Sequence, residues 1–145
     1  MNLSSISFRI GNQVNLDAVL AVYRASTLAE RRPIDDRERM RAMLRNANLV
    51  VTAWDGETMV GIARSLSDYA YVTYLSDLAV RVSHQRCGIG KELIRHTRAA
   101  APKAEIVLLA APAAETYYPH VGFTHHPQAW VSKQAAQKQE SHTEQ

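Results

Sequence analysis

Residues 85–91, Gln-Arg-Cys-Gly-Ile-Gly-Lys, combine glycines with basic side chains at the start of a predicted helix. The first turn of a helix has backbone N–H groups without internal partners and a partial positive charge. Gly88 and Gly90 allow a ligand to approach the backbone closely, and Arg86 and Lys91 add positive charge. The segment therefore predicts a phosphate or pyrophosphate site, although such glycines can also serve close packing of a helix on a sheet.

Two common phosphate-binding loops do not fit this segment. A Walker loop requires a glycine where Gln85 stands and a Mg²⁺-binding Ser or Thr where Glu92 stands. The glycines of a dinucleotide-binding fold follow an early strand of a repeated βαβ sheet, whereas here an antiparallel hairpin comes first. Neither class of nucleotide-binding protein is therefore indicated.

The elements that position the segment are predicted from the spacing of apolar residues. Strands are predicted at 5–9, 48–54, 57–66, 71–80, 105–109 and 123–131, and helices after Asn12 or Asn15, around an apolar stripe at 40–47, from Gly88 to about Ala101, and at 113–118. Asp55 and Gly56 predict a tight hairpin turn, and Pro119 is expected to stop the last helix, with Gly122 as the turn residue. The order strand, helix, strand after residue 71 implies a parallel crossover. These features predict a mixed α/β sheet, with antiparallel strands first and a parallel pair at its end.

Gln85, Gly88 and Gly90 match a motif of the GNAT N-acetyltransferases, in which Gln or Arg is followed by two residues, Gly, one residue, and Gly or Ala. The chain resembles this family over residues 5–131, where the order of predicted elements is also similar. The resemblance implies a GNAT-like fold, with helices flanking the sheet and the parallel strands splayed apart. It also implies acetyl-CoA as co-substrate, with its pantetheine arm in the gap between the splayed strands.

A second stretch resembles a later motif of the same family. In that motif a tyrosine on a short helix precedes a Gly-Phe strand start, which is matched here by Ala114, Tyr118, Gly122 and Phe123. The resemblance implies that Tyr118 is the general acid that protonates the leaving thiolate. A phenol with a pKa of ~10 is protonated at neutral pH and can serve in this way.

The resemblance also implies the remaining site residues. The expected coenzyme-binding residues are Leu78, Ala79 and Val80 along the pantetheine arm, and Gln85, Arg86, Cys87, Gly88, Ile89, Gly90 and Lys91 at the pyrophosphate. Asp77 is the first candidate for the general base, directly or through water, and can equally bind the substrate cation. His84 and His120 are alternative bases. Cys87 has no identifiable partner for nucleophilic catalysis, so its expected role is structural.

The expected reaction is direct transfer of an acetyl group from acetyl-CoA to an amine of a small molecule or peptide. The alternative is a non-catalytic acyl-CoA-binding module with a regulatory or interaction role. The early helices, the loop at 65–71 and the last strand are expected to form the acceptor pocket. Tyr69, Tyr71 and Tyr74 could line it for an aromatic or cationic substrate. A homodimer is implied by the resemblance alone.

Composition restricts the class of protein further. With 145 residues the chain suits one domain, expected at 1–132, followed by a polar and disordered tail at 133–145. Cys87 is the single cysteine, which agrees with a reducing, cytoplasmic location, and no membrane segment or secretory signal is expected. The net charge is +3, and acids interrupt the arginines near the second helix, so no nucleic-acid partner is expected. No metal is expected either, because His125 and His126 would point to opposite faces of a strand.

Overall fold

The computed structural model describes residues 2–134 of the chain, and these residues form five strands and four α-helices. In order they are β1 (Ile6–Ile10), α1 (Leu16–Arg24), α2 (Arg37–Asn46), β2 (Leu49–Asp55), β3 (Thr58–Ser67), β4 (Val72–Val80), α3 (Ile89–Ala100), β5 (Glu105–Val107) and α4 (Tyr117–His120). The chain divides into two units, Met1–Leu109 and Ala110–Gln145. The first unit contains the sheet and three of the helices, and the second contains α4.

One five-stranded sheet forms the centre of the first unit. Its strands lie in the order β1-β2-β3-β4-β5. The first four strands pair antiparallel, and β5 pairs parallel with β4 because α3 carries the chain back between them. The predicted mixed α/β fold, with antiparallel strands followed by a parallel pair and flanking helices, is confirmed.

Local signals in the sequence account for the β2–β3 turn and for the start of α1. Gly56 has a φ of +63° in the β2–β3 turn, a value that glycine adopts without steric cost. Asn15 caps α1 by accepting a hydrogen bond from the backbone N–H of Ala18 at 2.9 Å. Asn12, the other predicted cap, instead donates to the carbonyl of Ala47 at 2.8 Å. The predicted hairpin and the Asn15 cap are confirmed.

Helices cover both faces of the sheet. Ile62 of β3 lies in the core that α1 and α2 build, together with Val19, Leu20, Tyr23, Met40 and Leu44. The neighbouring Gly61 points to the opposite face, since successive strand residues alternate in direction. A Cβ atom at Gly61 would lie 3.1 Å from Leu93 of α3. Therefore α3 packs directly on this second face.

Three predictions near the C-terminal end are corrected. β5 ends at Val107 rather than at residue 109. Pro119 lies inside α4 rather than ending a helix, because in the first helical turn its missing N–H has no intrahelical partner to lose. The predicted strand at 123–131 is wrong, since residues 123–134 form no regular element. Pro127 removes a ladder donor there, and polar residues break the alternation that a strand requires.

The single domain at 1–132 and the disordered tail at 133–145 stay predictions. Lys133 and Gln134 form no regular element, and residues 135–145 lie outside the described residues.

We expect Gly61→Ala to lower the free energy of unfolding by about 1–3 kcal/mol, because it overpacks the contact between β3 and α3. The added Cβ would lie 3.1 Å from Leu93 and 3.3 Å from Ile89, and both side chains are buried and cannot move aside freely. Urea unfolding measures the effect. In a Leu93→Ala background, Gly61→Ala should lower the free energy of unfolding by a smaller amount. An equal cost in both backgrounds would contradict the close packing of α3.

Candidate active site

The first turn of α3 has backbone N–H groups without partners in the helix. Gly88 is the N-cap with a φ of +92°, and it has no side chain to cap the helix. The first bond of the helical ladder runs from the N–H of Glu92 to the carbonyl of Gly88 at 3.0 Å. The N–H groups of Ile89, Gly90 and Lys91 precede this ladder, and with the helix dipole they form an anion site.

The side chains of this segment have different environments. Ile89 is 1% exposed and lies in the core, so only its backbone can reach a ligand. Cys87 donates its thiol hydrogen to the carbonyl of His84 at 3.0 Å, in agreement with a structural role. Gln85 donates from Nε2 to the carbonyl of Val80 at 2.9 Å and thereby links the segment to the end of β4.

The charged side chains at the start of α3 leave the anion site positive. Arg86, with a φ of +67°, and Lys91 are exposed. Glu92, the acid of the first turn, accepts a hydrogen bond from Nε of Arg95 at 2.9 Å. This bond lowers the pKa of Glu92 and pairs its negative charge with Arg95 on the helix surface. Arg86 and Lys91 are therefore available to an anionic ligand.

His84 connects the segment before α3 to the β2–β3 turn. Its Nε2 lies 3.0 Å from Oδ2 of Asp55, and its Nδ1 lies 2.8 Å from Oγ of Ser83. Both ring nitrogens are thus engaged in hydrogen bonds, which suits a structural brace better than a base. From the sequence, Asp55 is predicted only as a turn residue, and its contact with His84 is not predicted.

β4 continues beyond the end of its parallel partner. The pairing with β5 runs from Val72 opposite Glu105 to Tyr74 opposite Val107, where it stops. Residues 75–80 pair only with β3 within the first unit. Their outward N–H and C=O groups are therefore left without a strand partner in that unit. Leu78, Ala79 and Val80, predicted to hold the pantetheine arm, lie in this stretch beside the start of α3.

Asp77 lies on the same stretch of β4, inside a buried cluster of charges. Nε of Arg32 lies 2.6 Å from its Oδ1, and Nε of Arg64 lies 2.6 Å from its Oδ2. The hydroxyl of Tyr23 donates to Oδ2 at 2.5 Å. Burial alone would raise the pKa of Asp77, but Arg64 and then Arg32 hold it below its usual range. The carboxylate is therefore ionised at neutral pH.

This environment favours Asp77 as an anchor of the strand. A carboxylate with a lowered pKa whose oxygens already accept hydrogen bonds is a weak base. Its role as general base stays a prediction. The sequence missed Tyr23, Arg32 and Arg64 as members of this cluster. One signal was available, because Arg64 is the one charged residue of β3 and, when buried, needs a counter-ion.

Tyr118 lies in α4, within the second unit. Its ring packs edge-on against Tyr117 and Phe123, with centroids 5.1 and 5.5 Å away. The N–H of Phe123 donates to the carbonyl of Tyr118 at 3.0 Å, and Gly122 has a φ of +96°, which together close the helix. Gly122 is therefore confirmed as the turn residue. Burial and then Tyr117 raise the pKa of Tyr118, so its hydroxyl is protonated at neutral pH.

Metal ions and membrane spans find no support in the residues described. Within 2–134, no group of three His, Cys, Asp or Glu side chains could hold a metal ion. No helix in the same part of the chain is long and apolar enough to cross a membrane.

Solved structures with the same fold include several acetyltransferases. A GNAT family protein from Streptococcus pneumoniae TIGR4 has a TM-score of 0.70 at 23% identity, covering 89% of this chain and 99% of that one. An aminoglycoside acetyltransferase from an uncultured soil metagenomic sample has a TM-score of 0.70 at 22% identity, covering 92% and 98%. A predicted acetyltransferase with acetyl-CoA from Clostridium acetobutylicum has a TM-score of 0.71 at 13% identity, covering 89% and 96%.

The family is shown by the sequence itself. The sequence model of the GNAT acetyltransferase domain family matches residues 19–136, and the chain belongs to this family. No curated protein matches the sequence. The protein is thus an acetyl-CoA-dependent acyltransferase, with acetyl-CoA as its co-substrate. The uncapped start of α3 and the unpaired edge of β4 fit that ligand, which has a pyrophosphate and an arm with amide groups.

Replacing Gly88 by Ala should weaken acetyl-CoA binding roughly tenfold, since a left-handed backbone costs alanine about 1–2 kcal/mol and relaxation would turn the amides away. Isothermal titration calorimetry measures the affinity. Gly56→Ala is the matched control, because Gly56 also has a positive φ, +63°, but lies in the hairpin turn. It should lose similar stability and keep its affinity. Equal losses of affinity in the two variants would argue against a local role for Gly88.

We expect Asp77→Asn to lower the free energy of unfolding by about 3–5 kcal/mol at neutral pH, because the buried Arg64 and the partly exposed Arg32 lose their shared carboxylate. The folded pKa of Asp77 lies below the unfolded value of ~3.9. The advantage of the wild type is therefore full above about pH 5 and is lost as pH falls through the folded pKa.

Denaturant unfolding between about pH 3 and pH 8 tests this pH dependence. Asp17→Asn is the control, because Asp17 pairs with Arg37 on the surface and should change stability little at neutral pH. A difference between wild type and Asp77→Asn that stays constant over the whole range would contradict an ionised Asp77.

Proposed function

We propose that the enzyme transfers the acetyl group of acetyl-CoA directly to an amine of a small molecule or peptide. The observation that carries this proposal is the junction between β4 and α3, where Gln85 bonds to the carbonyl of Val80. An anion site next to unpaired backbone groups suits a pyrophosphate followed by an amide-bearing arm. The aminoglycoside acetyltransferase with the same fold supports a small-molecule amine as acceptor.

The residues of the chain then have distinct roles. The first-turn amides of α3, with Arg86 and Lys91, bind the pyrophosphate. An unpaired N–H within 78–80 holds the thioester oxygen and stabilises the negative charge that develops there. The amine nitrogen forms a bond to the acetyl carbon while the carbon–sulfur bond breaks. Tyr118 gives its proton to the departing sulfur. The neutral amine releases one proton as the new bond forms, and that proton, passed through water, restores the Tyr118 hydroxyl.

The demanding part of this reaction is the earlier step, in which the protonated amine loses a proton and becomes neutral. An alkyl amine of pKa ~10.4 is neutral in only about one molecule in 2,500 at pH 7. Asp77, directly or through water, is the first candidate base or a binder of the substrate cation, with His84 and His120 as alternatives. The bonds of Asp77 to Arg32 and Arg64 support a third role, in which it holds β4 in place and the proton leaves to water.

The proposed reaction is tested by measuring release of coenzyme A with a panel of small amines and short peptides. A direct titration with acetyl-CoA accompanies the assay. We expect saturable binding and turnover with at least one amine. Binding without any turnover would instead favour a non-catalytic acyl-CoA-binding module, and no binding would contradict both functions.

Cytoplasmic location, homodimerisation and the absence of a nucleic-acid partner stay predictions. Ion pairs on the arginine-rich α2 support the last of these. Arg37 lies 2.7 Å from Asp17, and Arg41 lies 4.0 Å from Glu38, so acids already neutralise part of that surface.

We expect Tyr118→Phe to lower kcat roughly 100-fold and to leave the affinity for acetyl-CoA nearly unchanged. The phenyl ring keeps the packing against Phe123, and only the proton donor is lost. Steady-state kinetics and calorimetry separate the two effects. Tyr117→Phe, one position away in the same helix, should retain its kcat. An unchanged kcat in Tyr118→Phe would remove the acid role.

A further inference from the structure

The buried cluster on β4 contains more positive than negative charge. The guanidinium groups of Arg32 and Arg64 both bond to the single carboxylate of Asp77. Tyr23 completes the cluster as a neutral donor, since burial and Asp77 raise its pKa. A positive charge that is partly removed from water is costly unless a counter-ion reaches it. The cluster therefore favours an anionic group beside β4.

Arg32 is the member of the cluster that a ligand can reach. Its side chain is 22% exposed, against 8% for Arg64 and 0% for Asp77. Its Nε bonds to Asp77, its Nη1 to the carbonyl of Arg31 and its Nη2 to the carbonyl of Ser76. A guanidinium has five N–H groups, so each terminal nitrogen of Arg32 retains one for a ligand. These donors lie beside β4, just before the stretch expected to hold the thioester.

Acids near Arg32 in the sequence do not cancel this charge. Glu30, Asp35 and Asp36 are exposed, and Asp36 already caps α2 by accepting from the N–H of Arg39. Charges surrounded by water are strongly screened, whereas the partly buried Arg32 is screened less. These acids therefore do not neutralise Arg32.

An apolar row lies next to the cluster on the same face of the sheet. Leu66 pairs with Tyr74, and Tyr74 pairs with Val107, so the three side chains point to one face. They are 44%, 37% and 45% exposed, respectively. Leu66 lies two residues beyond Arg64 on β3, a distance of about 7 Å, and both face the side of α1 and α2. A positive donor and an apolar surface thus adjoin within reach of one small molecule.

We propose that the acceptor is a small amine that carries both a carboxylate and an apolar side chain, as an apolar amino acid does. This inference rests on the proposed function. The carboxylate pairs with Arg32, and the apolar side chain covers the row of Leu66, Tyr74 and Val107. Polycationic amines such as aminoglycosides are then poor acceptors, because Arg32 repels them.

The test compares phenylalanine with phenylalaninamide, which lacks the carboxylate, and with alanine, which lacks the apolar ring. With saturating acetyl-CoA, kcat/KM for phenylalanine should exceed that for the amide at least about tenfold, as expected for a charge-assisted hydrogen bond. The amide has the less basic amine, so this preference cannot come from a larger fraction of neutral amine. Alanine should also be the poorer substrate, and Tyr74→Ala should reduce the difference between phenylalanine and alanine.

Variants of Arg32 connect this preference to the cluster. In Arg32→Gln, kcat/KM for phenylalanine and for its amide should become nearly equal. Arg32→Lys should retain part of the preference for phenylalanine. The ratio within one variant is independent of how much enzyme is folded. Arg37→Gln, at an exposed pair with Asp17, is the control and should keep the ratio. Titration of phenylalanine into enzyme with coenzyme A should show the same loss of affinity in Arg32→Gln, at least about tenfold.

Two results would overturn the inference and leave the proposed function in place. One is equal kcat/KM for phenylalanine and its amide in the wild type, with clear turnover of other amines. The other is a ratio that is unchanged in Arg32→Gln. Absence of turnover with every amine, whether or not acetyl-CoA binds, would overturn the proposed function and this inference together.

Discussion

The buried carboxylate of Asp77 is the interaction on which the rest of the first unit depends. It receives hydrogen bonds from Tyr23 of α1, Arg32 of the loop before α2 and Arg64 of β3. An isolated charge in the interior costs several kcal/mol, so these four parts of the chain are stable only in the positions that keep the bonds. The cluster thereby fixes β4 at the point where its pairing with β5 has already ended.

Backbone groups, rather than side chains, form most of the proposed coenzyme-binding surface in this unit. The start of α3 offers N–H groups because a helix has no partners for its first turn, and β4 offers others because β5 is short. Such a site depends on a few special residues, among them Gly88 with its positive φ and Gln85 with its bond to Val80. The proposed coenzyme site is therefore set by a short segment of the chain.

The sheet face on the side of α1 and α2 has a charged part and an apolar part. Arg64 and Asp77 are neutralised within the protein, whereas Arg32 is partly exposed and keeps N–H donors for a ligand. Leu66 and Tyr74 continue the same face without charged groups. This apolar surface is formed by residues that follow Arg64 on β3 and precede Asp77 on β4. The bulge in the β3–β4 pairing, between Arg64 and Ser65, marks the change from one kind of surface to the other.

The sequence by itself determined the features that depend on neighbouring residues. Gly56 predicted the hairpin turn, Gly88 and Gly90 the start of α3, and the order of elements predicted the parallel pair, because each signal acts within a few positions of the chain. The strand predicted at 123–131 is wrong, because Pro127 and the polar residues beside it oppose a strand there.

Only the tertiary structure decided the surroundings of Asp77. Its partners Arg64, Arg32 and Tyr23 lie 13, 45 and 54 positions away in the sequence. The register of β3 with β4 and the packing of α1 bring them together. The pKa of a carboxyl group depends on distances in space, so its burial and its bonds to two arginines follow from the fold and not from the residues beside it.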